Sequence, residues 1–229
     1  MKAGSDRMLT IDETWKTTYP GTSIGIMAVN EITNSYGNKT LTEKKTHLLQ
    51  FLQAQIKTKE ALLTYGPLPH YVQYYHHYRK TYHVLPQLES VIFKGKQISG
   101  INPLVEAMFM AELKSGLLTA GHDGDILKLP LLLRVAGGKE KYTGINGKEQ
   151  TTKKGDMLLA DSGGIISSIL GGPDFRTRIT GTTKKCVFVV YGVPGISSNI
   201  IEAHLAQILD NINEFSANPI VAFQHVYTA

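Results

Sequence analysis

The stretch from Ile101 to Gly116, INPLVEAMFMAELKSG, limits what this chain can fold into more than any other. Asn102 is an N-cap residue, and Pro103 takes the first helical position, where its missing N–H costs nothing. The interior is apolar almost all the way round, so the segment reads as a core helix, with Gly116 as its stop. It then spills into SGLLTAGHD, Ser115 to Asp123, which reads as a loop of small residues ending in His122 and Asp123. Such a loop either closes the helix or walls a pocket, and that choice governs function.

Around this helix the patterning alternates between two periods. TSIGIMAVNEI, Thr22 to Ile32, reads as an early strand with Ile24, Ile26 and Ala28 on one face. Leu48, Leu49, Leu52 and Ile56 have helical spacing in a stretch that Gly66 and Pro67 should end. HYVQYYHHYRKTYHVLPQLESVIFKG predicts a helix to about Tyr82, a break at Pro86 and a short helix ending at Gly95. After residue 126 come short strand-like runs: LKLPLLLRVA, KYTGI, DMLLADSGGIISSIL, RTRIT and KCVFVVYGV. PGISSNIIEAHLAQILDNINEF then predicts a closing amphipathic helix capped at Ser198. With no repeat or linker, the reading is a single α+β domain over residues 1–229, with helices gathered on one side of a sheet-rich core.

Composition excludes several classes. Of 229 residues, 42% are hydrophobic and 19% charged, which is ordinary for a folded domain and excludes a disordered tail. The net charge of +5 permits a polyanionic partner such as RNA without requiring one. A single cysteine, Cys186, cannot form an internal disulfide, and no stretch reaches membrane-span length, so a cytoplasmic protein is expected.

Few residues are spaced for chemistry. His70, His76, His77 and His83 interleave with tyrosines and lack the four-residue spacing of paired metal ligands, so they predict a half-buried aromatic face. No metal or other cofactor is expected. Cys186 lies in a run typical of a buried strand, and no GxSxG elbow is present. GINGKEQ lacks the spacing of a phosphate loop. Gly163 and Gly164 fit a hairpin turn. Gly171 and Gly172, followed by Pro173 and Asp174, suggest a close backbone approach to something.

Two long stretches carry a resemblance. YRKTYHVLPQLESVIFKGKQISGINPLVEAMFMAELKSGLLTAGHD and GDMLLADSGGIISSILGGPDFRTRITGTTKKCVFVVYG resemble the B3/B4 domain, found in the beta subunit of bacterial phenylalanyl-tRNA synthetase and in stand-alone proteins. The resemblance runs from Tyr78 to the closing helix, roughly residues 78–215, on pattern over length and not on one motif. It implies a three-layer β/β/α sandwich with a mixed sheet core. It also implies a domain that hydrolyses mischarged aminoacyl-tRNA, its amino acid held between the buried helix, the segment after it and the Gly-Gly turn.

Carried over by position, the family's polar residues are mostly replaced here. Its Thr-Asn pair falls on Met108 and Phe109, its loop histidine on Ala120, and its tyrosine-reading glutamate on Val189. Asp123 and the Gly171–Gly172 turn are kept. Valine at 189 gives a substrate phenol no partner, and burying that hydroxyl unpaired costs about 1–3 kcal/mol, so tyrosine-specific editing is not expected. The expected pocket comprises Glu106, Met108, Phe109, Ala120, Gly121, Asp123, Gly171, Gly172 and Val189. His122 is the candidate general base, Gly171 and Gly172 the oxyanion donors, and Arg176, Arg178, Lys184 and Lys185 the RNA contacts. The resemblance implies a stand-alone protein that binds tRNA or aminoacyl-tRNA and acts as a trans-editing deacylase. The alternative is a non-catalytic module for an amino-acid-like molecule or a tRNA end.

Overall fold

In a computed structural model, which describes residues 8–34, 39–98 and 102–229, the apolar helix lies inside a layer of helices stacked on two sheets. Chain order begins β1 (Leu9–Ile11), α1 (Glu13–Thr18), β2 (Ser23–Asn30), α2 (Lys39–Gln55), α3 (Lys59–Leu63), α4 (Leu68–His77), α5 (Val84–Lys94) and α6 (Pro103–Ser115). It continues through β3 (Leu118–Asp123), β4 (Leu131–Val135), β5 (Lys141–Thr143), β6 (Glu149–Thr151), β7 (Met157–Asp161) and β8 (Gly164–Ser168). Last come β9 (Gly172–Pro173), β10 (Cys186–Tyr191), α7 (Ser198–Asn213) and β11 (Ile220–Thr228).

One sheet is antiparallel, in the order β11-β2-β10-β3; a second, mixed sheet runs β1-β4-β7-β8-β9, with β1 and β4 parallel. A small β5-β6 ribbon completes the set. Helices α6 and α7 cover one face of the antiparallel sheet. At Gly25 of β2 an added Cβ would lie 2.4 Å from Ile201 Cγ2, so α7 approaches the sheet too closely for a side chain. The opposite face meets the mixed sheet, where the Tyr191 hydroxyl of β10 hydrogen-bonds Ser167 of β8. This is the expected three-layer β/β/α arrangement.

Tyrosines tie the helices to the sheets. Tyr71 and Tyr82 stack at 4.6 Å, and the Tyr71 hydroxyl donates to the Tyr191 carbonyl while accepting from Leu118 N–H. Tyr74 donates to Asp156 at 2.8 Å, and burial raises that carboxyl to about 6. The half-buried aromatic face read from the sequence is thus a set of anchored hydroxyls. Among the described residues no helix is long and apolar enough to cross a membrane.

Several boundaries differ from the sequence reading. The helix expected to end at Gly66 breaks at residues 56–58, where Thr58 caps a new short helix through Ala61 N–H. The break between α4 and α5 falls at residues 78–83; Pro86 sits inside the first turn of α5, where a missing N–H is harmless. Arg176–Thr180 forms no strand beyond one bridge from Arg178 to His122. Ser197, not Ser198, is the N-cap of α7, without a side-chain cap bond. The chain does not close on that helix, because β11 follows and pairs along β2. Capping of α6 is as read: Asn102 Oδ1 accepts from Val105 N–H at 3.1 Å, and Gly116 takes a φ of 75°.

Candidate functional site

The segment that reads as a loop is mostly a strand. Only Gly116 and Leu117 separate α6 from β3, and all six residues of β3 are buried. It lies between helices on one side and the mixed sheet on the other, so it carries no polar face to betray it. Strand geometry then sends successive side chains to opposite faces. Thr119 and Gly121 face the helices, where Thr119 Oγ1 meets His204 of α7 and Gly121 meets Met108 of α6. Ala120 and His122 face the mixed sheet, and Val189 is Ala120's register partner on β10.

That alternation divides the expected pocket. A Cβ on Gly121 would lie 2.6 Å from Ile179 Cδ1 and 3.0 Å from Met108 Sδ, so these two side chains fill the space over the glycine. Phe109 lines a different hollow of about 370 Å³ with Pro86, Gln87 and Val91 of α5. Glu106 is held by Lys45 at 2.9 Å. A Cβ on Gly171 would strike the Tyr142 hydroxyl, which itself donates to the Gly172 carbonyl at 2.8 Å. The close approach suggested by that glycine pair is therefore an internal tyrosine. Gly171 N–H donates to Ser168 Oγ at 3.0 Å, which occupies it as an oxyanion donor. Among the described residues, Phe109, Ala120, Gly171 and Val189 share none of the five hollows that stand out on the molecule's surface.

What does gather at β3 is a relay. The strand β9 leads into Asp174–Arg178, which lies against the β3 edge through Asp123 N–H to the Thr177 carbonyl at 2.7 Å. Thr177 Oγ1 donates to Asp174 and lies 2.7 Å from His122 Nδ1. A hydroxyl has one hydrogen to give, so His122 Nδ1–H must be the donor to Thr177. The lone pair is then on Nε2, which is buried and has no hydrogen-bond partner among the described residues. Burial pulls His122 down to about 3, so the ring is neutral at any ordinary pH. Asp123 is occupied as well, accepting from Asp125 N–H at 3.0 Å and Thr183 Oγ1 at 2.5 Å.

The four expected RNA-contacting cations divide in two. Arg176 binds Asp161 at 2.7 Å and Lys185 binds Asp125 at 2.8 Å. Arg178 and Lys184 form no ion pair among the described residues. The Arg178 guanidinium lies 3.6 Å over the ring of Phe175, fixed by a 2.6 Å bond from Nη1 to the Phe175 carbonyl. Phe175 is 41% exposed.

A second cluster went unread in the sequence. Ser115, the last residue of α6, accepts from Leu117 N–H at 3.0 Å and lies 2.8 Å from His204 Nδ1. His204 Nε2 lies 2.6 Å from Thr119 Oγ1, and Thr119 N–H donates to Glu112 at 2.7 Å. Burial lowers His204 to about 3 and raises Glu112 to about 8. The available signal was a histidine on the apolar stripe Ile201, Leu205, Ile208 of α7. A buried polar residue there demands partners.

The B3/4 domain family matches residues 73–215, more than half of the chain. The phenylalanine–tRNA ligase beta subunit of Tropheryma whipplei (strain Twist) is 29% identical over 94 residues, spanning 39% of this chain and 10% of that protein. An N-terminal fragment of the phenylalanyl-tRNA synthetase beta subunit from Pyrococcus horikoshii aligns with a TM-score of 0.51 at 14% identity, covering 97% of this chain and 54% of that one. The chain therefore spans about a tenth of the length of its curated relative and about half of the solved fragment, whose likeness is one of fold. With these matches laid over a three-layer sandwich whose buried helix and glycine turn occur in the expected order, the chain belongs to the B3/4 domain family.

Proposed function

We propose that this chain binds the acceptor end of aminoacyl-tRNA in the cytoplasm and clears mischarged amino acid in trans. The observation that carries the reading is the exposed Phe175–Arg178 stack beside the β9 glycine turn, with Lys184 as a second unpaired cation. A partly exposed aromatic ring with a guanidinium over it suits an unpaired base and its phosphate. Family membership and the net charge of +5 point the same way.

For hydrolysis, His122 is the group of choice, because its Nε2 lone pair is fixed by the Asp174–Thr177 relay and otherwise unused. It is fully buried and lines none of the five hollows, so hydrolysis requires the packing over Nε2 to open when the ester binds. Water attacks the ester carbonyl, passes its proton to Nε2, and the departing ribose oxygen takes that proton up. A weakly basic, buried imidazole orients water better than it holds a full proton, which suits an already activated aminoacyl ester.

The test is a panel of charged tRNAs, with binding read by filter retention and ester loss by acid gel. Binding that weakens with salt, and about tenfold with Phe175→Ala or Arg178→Ala, is expected. Ester loss above buffer should vanish in His122→Gln. Binding without ester loss favours the non-catalytic module, which the Met108 and Ile179 packing over Gly121 supports. No binding to any tRNA overturns the proposal.

A further inference from the structure

The Ser115–His204 pair forms part of the wall of a hollow of about 610 Å³ on the helical side of the molecule, away from β9 and the Phe175 stack. Its size is that of a small-molecule site. Tyr65, Pro67, Ile196, Ile200 and Ala203 supply its apolar side, with Ile200 43% exposed, and His70, Asn199 and Gln207 add polar groups. Among the described residues no aspartate or glutamate lines it, whereas Lys114 does. Lys114 Nζ bonds the amide oxygen of Gln207, and the nearby Asp210 carboxylate is already taken by Lys44 at 2.7 Å.

We infer that this hollow binds a small amphiphilic monoanion, an apolar body carrying one carboxylate, with Ser115 and Lys114 reading the head. The wall has apolar surface for the body, a cation for the head and, among the described residues, no like charge to repel it. Ser115 supplies direction. Its oxygen already accepts from Leu117 N–H, and His204 can hold its hydrogen in either of two ways. With hydrogen on Nδ1, His204 donates to Ser115, Thr119 donates to Nε2, and the Ser115 O–H is free to donate outward. A carboxylate selects that arrangement. Because burial keeps His204 neutral, both arrangements are uncharged and differ only in which ring nitrogen holds the hydrogen and where the two hydroxyls point.

The body is alkyl or aryl, and the experiment separates the two. Amide NMR of the full chain is followed during titration with decanoate, with indole-3-propionate, and with decanol as the neutral control. Saturable shifts at Leu117, Thr119, Gly195 and Ala203 are expected with at least one carboxylate, and the tighter one identifies the body. Lys114→Met and Ser115→Ala should each weaken it about tenfold. Ala203→Trp fills the hollow from an exposed α7 position that folding does not use, and should abolish saturation. Unsaturable shifts with both carboxylates, equal affinity for decanol, or unchanged binding in Ala203→Trp would each overturn the inference. Because no tRNA enters this measurement, its outcome is independent of the acceptor-end proposal.

Discussion

Two histidines, one at each side of strand β3, meet the interior in opposite ways. His204 has a hydroxyl at each ring nitrogen and lies beside an open hollow. His122 has a hydroxyl at one nitrogen, nothing at the other, and lies in closed packing against the mixed sheet. Burial drives both to about 3, so titration does not tell them apart. The completeness of the hydrogen-bond circuit does. A finished circuit holds elements together, here α6, α7 and β3, while an unfinished one is a polar group kept at a cost of about 1–3 kcal/mol.

The contrast breaks first, and hardest, at His204. His204→Ala should lower unfolding free energy in urea by about 3 kcal/mol, since it leaves a cavity and strands the buried Thr119 hydroxyl. A loss under about 1 kcal/mol would mean that the circuit does not stabilise the helical layer.

Titration next tests the His204 side of the comparison, through Glu112. A histidine held near 3 in the fold and 6.5 when unfolded adds stability that is complete above pH 6.5 and is lost as pH falls toward 3. Each of the two contributes a slope of up to about 1.4 kcal/mol per pH unit in that window. Glu112, raised to about 8 from 4.5, has the opposite sign: its contribution is complete below pH 4.5 and is lost as pH rises to 8. Above pH 6.5 the histidine slopes have ended and that of Glu112 continues. Denaturation at a series of pH values from 6.5 to 8 should therefore show declining stability that Glu112→Gln flattens. Parallel curves for the two proteins would refute the assignment.

The smallest effect belongs to His122. His122→Met removes the unpartnered Nε2 along with one hydrogen bond, while Thr177 keeps its bond to Asp174. The two changes oppose each other, and a cost of about 1 kcal/mol or less is expected in the same urea assay. A cost near that of His204→Ala would show that Nε2 has a partner in solution.

The α+β class, the early strand, the capped apolar helix and its glycine stop were legible because each rests on local chemistry. Strand β3 was not. Buried on both faces and built of small residues, LTAGHD lacks the alternation that marks a half-buried strand. Strand β11 shows another limit, as an edge strand whose mostly exposed residues alternate weakly and which needs β2 to form at all. The same blindness shaped the expected pocket. Read as a loop, Ala120, Gly121 and His122 can converge on one cavity; as a strand they cannot, because neighbouring side chains leave on opposite sides. His204 and Ser115, 89 residues apart, share no local pattern that would pair them.

By itself, then, the sequence determined the family, the helix that must be buried and the residue types able to do chemistry, since periodicity, caps and composition act over a few neighbouring positions. Only the tertiary structure decided which of those residues meet. Period-two alternation in β3 sent His122 toward Thr177 and Thr119 toward His204, and packing density filled the space over Gly121 with Met108 and Ile179 while leaving one open beside Ser115.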